Sequence, residues 1–185
     1  MHQCNFFDWQ IMSFQPAQIP NNDNKRVEAV HRADVIEEID SKLYEIFCFL
    51  AKEITGCPVS WTGVIDSEKQ VMLARDGFPD DVPNEMPRNQ TLCQFALERK
   101  QPLVINNMVK DTRFKYHPAV TDFGVRFYAA FPIVTSDGYT LGTLCVSDNK
   151  VRKLTKHKIS LLMGLATKLA YQLEVQVSQR KGTAE

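Results

Sequence analysis

The chain has 185 residues, 44% hydrophobic and 24% charged, which is typical of one globular domain with a sizeable core. Lysine and arginine number 22 and so do aspartate and glutamate, so the formal net charge of zero excludes a global basic field for nucleic acid. No stretch approaches the roughly 18 apolar residues of a membrane helix, and five cysteines without a C-x-x-C pair favour a reducing cytoplasm. The four histidines are scattered without zinc-site spacing, so we expect no metal.

Residues 1–24 are predicted to be a tail, in which residues 15–24 form a polar linker with two prolines. The segment before this linker is too apolar for a solvated tail, since it contains Phe6, Phe7, Trp9, Ile11, Met12 and Phe14. These side chains either dock on the core of the chain or of a dimer mate, or they form a peptide that binds a partner.

Residues 25–55 carry apolar side chains at spacings of three and four, which predicts one long helix ended by Gly56 and Pro58. Residues 59–66 and 70–75 are predicted strands of a hairpin. The next segment, residues 76–89, contains a glycine and three prolines and is predicted to be a loop.

Thr91 and Gln94 form a capping-box pattern, which predicts a helix from residue 91 to about residue 100. In this helix Cys93 occupies the second position, where unpaired backbone N–H groups and the helix dipole lower a thiol pKa. Cys93 is therefore a candidate redox sensor or covalent attachment point. The alternative is a small apolar side chain packed under the helix, since free cysteines are commonly buried.

A short strand at residues 103–105 is followed by a long irregular loop over residues 106–124, a length that is often functional. Residues 125–134 and 140–147 are predicted strands joined by Asp137-Gly138, a strong hairpin signal. A final helix is predicted from residue 155 to about residue 179. The order of elements predicts an α+β domain, an antiparallel sheet with helices packed on it.

The long loop and the strand after it are rich in aromatic and charged side chains: Asp111, Arg113, Phe114, Tyr116, His117, Arg126, Phe127 and Tyr128. Apolar walls with a few orienting polar groups are typical of a small-molecule pocket. The alternative is that Asp111 pairs with Arg113 or Arg126 to fix the loop, while the aromatic side chains fill the core.

A basic cluster lies around the start of the last helix and comprises Lys150, Arg152, Lys153, Lys156 and Lys158. Cations at a helix N-terminus oppose its macrodipole, so acidic residues would be the better local choice. The cluster is either a solvated face or a landing site for an acidic partner. The sequence contains no P-loop, dinucleotide-binding, nucleophile-elbow or H-E-x-x-H pattern, which removes the common catalytic routes.

Several stretches match one family in order: Thr91-Leu92-Cys93, Pro102-Leu103-Val104-Ile105, Asp111-Thr112-Arg113-Phe114, His117-Pro118-Ala119-Val120, Val125-Arg126-Phe127-Tyr128-Ala129, Asp137-Gly138 and Leu141-Gly142-Thr143-Leu144-Cys145-Val146. Through them, about four fifths of the chain, residues 25–174, resembles a GAF domain. The resemblance is to the bacterial type found in front of histidine kinases and diguanylate cyclases.

This resemblance implies a central antiparallel sheet with the N- and C-terminal helices on one face and a loop-covered pocket on the other. It implies a GAF domain over residues 25–179, between an N-terminal tail and a C-terminal tail of residues 180–185. GAF domains bind cyclic nucleotides, tetrapyrroles, haem, amino acids or other small molecules, or act as dimerisation modules. Carried onto motif positions, the candidate pocket residues are Trp61, Cys93, Asp111, Arg113, Phe114, Arg126, Tyr128 and Cys145, and no particular cofactor is implied.

The sequence departs from two relatives within the resemblance. The Gly-His-Ile-Ala-Cys-Asp stretch of free-methionine-sulfoxide reductases is absent, which argues against that activity. Bilin-binding members usually place histidine after the attachment cysteine, whereas Gln94 follows Cys93 here, which argues against a bilin.

We therefore expect a stand-alone, non-enzymatic regulatory module in the cytoplasm that binds a small molecule or a signalling protein and transmits through its terminal helices. Near-heptad spacing in both helices predicts a homodimer through Ile39, Leu43, Leu50, Leu162, Leu169 and Leu173. The alternative is that these faces pack only on the sheet of the same chain. The alternative function is a thiol-based redox sensor or reductase that uses Cys93, together with Cys145.

Overall fold

Two helices precede the sheet in the computed structural model, which describes residues 13–36 and 40–182, with side chains described to residue 176. They are α1 (Asp23–Arg32) and α2 (Lys42–Thr55). The apolar tail residues Phe6, Phe7, Trp9, Ile11 and Met12 lie outside the described residues, as does Ile39.

The prediction of one helix over residues 25–55 is wrong, because α1 ends at Arg32 and α2 begins only at Lys42. Asp34 has a φ of 49°, a left-handed conformation that ends a right-handed helical path. Ala33 and Val35 in this connection are buried against the core, so the apolar pattern continues where the helix does not. The predicted end of α2 is confirmed, since Gly56 has a φ of 71° and its N–H donates to the Lys52 carbonyl.

Six antiparallel strands form one sheet in the order β3-β2-β1-β6-β5-β4. Their bounds are β1 (Val59–Ile65), β2 (Lys69–Asp76), β3 (Glu85–Pro87), β4 (Leu103–Ile105), β5 (Phe127–Val134) and β6 (Thr140–Asp148). Both predicted hairpins are present, and Gly138 in the second has a φ of 89°. The predicted loop over residues 76–89 misses β3, which is a three-residue edge strand ending in proline and too short to show a period of two.

The segment between β3 and β5 contains short helices instead of the predicted helix over residues 91–100. Its 3₁₀ turns are Arg88–Gln90, Cys93–Ala96 and Met108–Lys110, and a four-residue helix, α3 (Pro118–Thr121), follows them. The final helix, α4 (Lys156–Gly182), is confirmed and ends three residues beyond the predicted position. No helix among the described residues is long and apolar enough to cross a membrane.

Successive residues of a strand point to opposite sides of the sheet, so each strand contributes side chains to both faces. The two faces are covered by different elements. On the helix face, α1, α2 and α4 cover a mainly aliphatic core that includes Phe131, Leu144 and Leu169. On the loop face, residues 91–124 outside β4, which we call the covering segment, cover a second cluster that includes Tyr128 and Cys145. The predicted α+β architecture, with terminal helices on one face and a loop on the other, is therefore confirmed.

Candidate functional site

Five of the eight predicted pocket residues converge on the loop face. Trp61 lies on β1, Tyr128 on β5 and Cys145 on β6, and these three neighbouring strands form the floor. Cys93 and Phe114 come from the covering segment. All five side chains are buried, with exposures of 8% for Trp61 and 1% or less for the others.

Two sulfur atoms meet at the centre of this face. The Sγ atoms of Cys93 and Cys145 are 3.5 Å apart. The Tyr128 hydroxyl donates to the Cys93 sulfur at 3.3 Å and lies 3.4 Å from that of Cys145, and the Thr143 hydroxyl lies 3.0 Å from the Cys145 sulfur. We call Cys93, Tyr128, Thr143 and Cys145 the thiol cluster.

The thiol cluster favours a negative charge on one sulfur. Burial by itself raises the pKa of the Cys93 thiol, but hydrogen bonds from Cys145, Thr143, Tyr128 and Thr91 outweigh it and lower that pKa to about 6. Burial, together with the neighbouring Cys93, raises the pKa of Cys145 well above its ordinary value. The two shifts run in opposite directions, so the surroundings favour the charged form of Cys93 and the neutral form of Cys145.

The physical reason for a thiolate differs from the one predicted at sequence level. Cys93 is the first residue of a four-residue 3₁₀ turn and does not lie inside a longer α-helix, so little helix dipole acts on it. The capping pattern is half formed: the Thr91 hydroxyl accepts from the Cys93 N–H at 3.1 Å. Gln94 instead donates its side-chain amide to the Thr91 carbonyl at 2.8 Å.

Aromatic rings fill the space around the thiol cluster. Trp61 stacks on Tyr128 with ring centroids 5.8 Å apart and meets Phe78 edge-on at 5.4 Å. Phe95 and Phe114 contact each other edge-on at 4.7 Å. Two cavities, of about 240 and 410 Å³, lie elsewhere, beside the turn between β5 and β6 and beside β2. The site is thus packed by its own side chains.

The other three predicted pocket residues stabilise the loop at its surface. Asp111 and Arg113 form an ion pair at 2.7 Å, with side chains 20% and 42% exposed. The Arg113 guanidinium lowers the pKa of the Asp111 carboxyl by hydrogen bonding to it. Arg126 donates to the carbonyls of Val120 and Val125, both at 3.1 Å. Their hydrogen bonds hold residues 111–126, as in the alternative that gave these side chains a structural role.

Part of the N-terminal tail lies over the covering segment, a contact that the sequence left open. The Phe14 ring meets His117 edge-on at 4.4 Å and lies 5.9 Å from Phe95. The Ala17 N–H donates to the Gln94 side-chain oxygen at 3.0 Å. Phe14 therefore docks on its own chain. It contacts His117, which the sequence analysis placed in the candidate loop, and the strap also binds Gln94, which sequence reasoning did not assign to the site. We call residues 13–19 the N-terminal strap.

A buried ion cluster, also missed from sequence, fixes α1 to the turn between β1 and β2. The Asp23 carboxylate lies 2.6 Å from both Arg26 and Arg88, and all three side chains are at most 10% exposed. Arg26 also donates to the carbonyls of Ile65 and Asp66. Asp23 and Arg26 are three positions apart on α1, but Arg88 is 65 positions from Asp23, so no local pattern marks the whole cluster.

Most side chains of the predicted basic cluster lie on the surface. Arg152 pairs with the buried Asp148 and donates to the Gly56 carbonyl at 2.8 Å, so its role is structural. Lys150, Lys153 and Lys156 are exposed, and Lys158 is half-buried. Within the described part of the chain, no three His, Cys, Asp or Glu side chains are placed to hold a metal ion.

The predicted dimer residues fall into two groups. Leu162, Leu169 and Leu173 are fully buried in the core of the same chain, so they cannot form the surface that meets a second copy. For these three, the alternative of packing on the chain's own sheet is correct. Leu43 is 41% exposed and Leu50 is half-buried, so α2 retains an apolar surface.

Comparison with known proteins agrees with this geometry. The model of the GAF domain family matches residues 42–173. A cyclic di-GMP phosphodiesterase of Pseudomonas aeruginosa is 27% identical over 145 residues, which cover 77% of this chain and 24% of that protein. The chain thus spans about a quarter of the length of this curated relative.

Solved structures show the same fold at low sequence identity. The PixJ GAF domain of Thermosynechococcus elongatus has a TM-score of 0.63 at 14% identity, covering 90% of this chain and 96% of that one. The second GAF domain of DevS from Mycobacterium smegmatis has a TM-score of 0.59 at 16% identity, covering 76% and 96%. A type II free methionine-R-sulfoxide reductase of Thermoplasma acidophilum has a TM-score of 0.60 at 15% identity, covering 71% and 90%. With its family match, its sheet order and its loop-covered face, the chain belongs to the GAF domain family.

Proposed function

We propose that the chain is a non-enzymatic regulatory GAF module that pairs with a second copy of itself through α2 and α4. The observation that carries this proposal is a stripe of exposed apolar side chains on two neighbouring helices. On α2 it comprises Leu43, Ile46 and Phe49, exposed by 41%, 51% and 51%. On α4 it includes Leu161 and Tyr171, exposed by 42% and 61%. We call these five side chains the helix stripe.

The apolar side chains of the helix stripe are more stable when a second copy of the chain buries them than when they are exposed to water. Large apolar side chains that stay exposed on two neighbouring helices mark a candidate interaction site. Leu43, Ile46 and Leu50 follow each other at spacings of three and four, the pattern by which helices pair along a seam. A two-fold axis beside α2 and α4 brings the same apolar patch against itself, which is how most homodimers are built.

The length of α4 supports the proposal that this helix transmits the signal. The helix has 27 residues, about 40 Å, and continues past residue 173, where the family match ends. Leu162 and Leu169 bind its first half to the sheet, so a change in the domain moves the helix as a rigid rod. The match to only a quarter of the phosphodiesterase supports a module that regulates an output activity and does not itself perform that reaction.

The packing of the loop face favours a partner protein over a small molecule as the signal. Because aromatic rings and thiols occupy the expected pocket, a small-molecule ligand would have to displace residues 91–124. A partner protein needs no such opening. The exposed Lys150, Lys153 and Lys156 offer an acidic partner a surface near the start of α4.

The dimer is tested by analytical ultracentrifugation over a range of concentrations. We expect a dimer for the wild type and a dissociation constant raised about tenfold or more by Ile46→Glu, since it buries a carboxylate in the apolar seam. Val109→Glu is the matched control: Val109 is 47% exposed but lies in the covering segment of the loop face, so the dimer should persist. A wild-type monomer at high concentration, or equal effects of both variants, would contradict the proposal.

A further inference from the structure

The two sulfur atoms of the thiol cluster are close enough to react with each other. A disulfide bond is about 2.05 Å long, so the Cys93 and Cys145 sulfurs, now 3.5 Å apart, need to approach by about 1.5 Å. Cys145 lies on β6, a strand held on both sides by β1 and β5. Cys93 lies in a 3₁₀ turn of four residues, so the turn is the part that moves.

We propose that a peroxide oxidises Cys93 and Cys145 to a reversible disulfide within one chain, which makes the thiol cluster a redox-sensitive site. This activity goes beyond the regulatory dimer proposed above and does not depend on it. The site lies on the loop face, whereas the helix stripe lies on the outer side of the helix face.

The two sulfurs have different roles in the reaction. Cys93 is the nucleophile, because the Tyr128 hydroxyl donates to its sulfur and the Cys145 thiol lies 3.5 Å away, where it can donate to a thiolate. Cys145 is the resolving thiol, since it keeps its proton until the second step. A protonated Tyr128 contacts both sulfurs, and burial raises the pKa of its hydroxyl, so it remains a donor throughout.

The steps balance with hydrogen peroxide as the oxidant. The Cys93 thiolate bonds to one peroxide oxygen, the O–O bond breaks, and hydroxide leaves and becomes water with the proton that Cys93 had given up. The Cys93 sulfur is now a sulfenic acid. The Cys145 sulfur then bonds to it and displaces hydroxide, which takes the Cys145 proton to form a second water. Two electrons pass from the thiols to the peroxide. Two small thiol molecules, or one dithiol, return them by exchange and leave as a disulfide.

Because Cys93 and Cys145 are buried, a small oxidant reaches them more readily than a large one. Cys93 is 1% exposed and Cys145 is fully buried, beside Trp61 and under the covering segment. Peroxide is little larger than water and enters through brief openings of the short 3₁₀ turns, whereas bulky thiol reagents need a larger opening. Cys48 and Cys57 are also buried free thiols, but they belong to the core of the helix face. Burial raises the pKa of Cys48 to about 12 and raises that of Cys57.

Oxidation has a structural consequence at the N-terminal strap. Gln94 and Phe95 follow Cys93 in the same turn and bind the strap through Ala17 and Phe14. A shift of the turn toward β6 pulls both partners away from the strap. The oxidised protein should therefore exchange the amide hydrogens of residues 13–19 faster than the reduced protein.

The test treats the full chain at neutral pH with hydrogen peroxide and maps its cysteine peptides by mass spectrometry. We expect a Cys93–Cys145 disulfide that dithiothreitol reverses, with Cys93 lost about tenfold or more faster than Cys48 and Cys57. In Cys145→Ser the reaction should stop at a Cys93 sulfenic acid, which dimedone captures. Cys48→Ser is the matched control and should still form the disulfide.

The wild-type peptide map decides the proposal even if a variant fails to fold. Cys93 and Cys145 that stay reduced, or that are lost only as fast as Cys48, would overturn it. Disulfides between chains in place of the pair within one chain would overturn it as well. Ile46→Glu should form the same disulfide as the wild type, so failure of the dimer and failure of the redox site are distinguishable.

Discussion

The two faces of the sheet are closed to water by different means. On the helix face, three helices supply aliphatic side chains at regular spacings, and the buried leucines of α4 lie directly on β5. On the loop face, a 3₁₀ turn of four residues supplies Cys93 and Phe95, and these pack against Tyr128 and Cys145 of the strands below. A short turn buries little apolar area by itself, so its position depends on specific contacts between side chains.

The difference teaches where this fold can change. A long helix packed on a sheet moves as a unit, whereas a short 3₁₀ turn can open locally at a fraction of the global free energy of unfolding. Reactive groups fit the second kind of cover, since oxidants and partners reach them without unfolding the core. The thiol cluster lies under such turns, and the most aliphatic part of the molecule lies on the other face.

We expect the largest loss of stability from a substitution in the buried ion cluster, which joins α1 of the helix face to the turn between β1 and β2. Asp23→Asn leaves Arg26 and Arg88 buried without their carboxylate and should lower the free energy of unfolding by about 3–5 kcal/mol. Asp137→Asn is the matched control: its pair with Arg32 is about half exposed, so it should cost about 1 kcal/mol or less. Urea denaturation measures both. Equal effects would show that α1 is not held by this cluster.

The same cluster has a pH signature. Burial raises the pKa of Asp23, but hydrogen bonds from Arg88 and Arg26 outweigh it, so the folded pKa lies below the ordinary value of 3.8. This stabilisation is fully present above 3.8 and is lost as the pH falls through the folded pKa. The gap in stability between wild type and Asp23→Asn should therefore be widest near neutral pH and narrow in acid. A gap that widens on acidification would contradict the assignment.

The helix face is tested next by Leu169→Ala, which empties a fully buried position between α4 and the sheet. The lost burial and the cavity should cost about 2–5 kcal/mol. Val151→Ala, at a position that is 57% exposed, is the matched control and should change stability by about 0.5 kcal/mol or less. Tryptophan fluorescence and circular dichroism should report one coincident transition for Leu169→Ala. Separate transitions would show that the two faces unfold independently.

The faces also differ in how well the sequence predicts them. The long strands β1, β2, β5 and β6 and the helix α4 follow from periodicity and turn residues, because burial on a regular element repeats along the chain. The break between α1 and α2 does not, since the buried Ala33 and Val35 continue the apolar pattern through it. The edge strand β3 is too short for any period to show.

The sequence predicts residues that form the site, but it does not predict which of them contact each other. Family motifs identified Trp61, Cys93, Tyr128 and Cys145, which do converge. The contact of Cys93 with Cys145 joins residues 52 positions apart, so only the assembled sheet creates it. Arg113 belonged to the same motifs, yet its exposed pairing with Asp111 depends on how the loop turns. Motifs mark the residues of a fold, and packing decides which of them meet.

A smaller effect is expected on the loop face from Tyr128→Phe, which removes the hydroxyl that contacts both sulfurs. The loss of these hydrogen bonds should cost about 0.5–1.5 kcal/mol of stability. It should also raise the Cys93 pKa and slow the loss of this thiol to peroxide at neutral pH. Tyr171→Phe, at an exposed position of α4, is the matched control and should change neither property. An unchanged rate in Tyr128→Phe would show that the hydroxyl does not stabilise the thiolate.

We expect the smallest loss of stability from Arg113→Gln at the surface of the covering segment. Its pair with Asp111 is partly exposed, so the variant should lose about 1 kcal/mol or less, and added salt should shrink the loss further. Urea denaturation at low and high sodium chloride measures it. A loss as large as that of Asp23→Asn would mean that the loop face is held by its surface ion pair and not by the buried rings. The Arg113 guanidinium lies over the Phe114 ring, which packs against Phe95. We expect these rings to dominate, and peroxide should oxidise Cys93 in Arg113→Gln as fast as in the wild type.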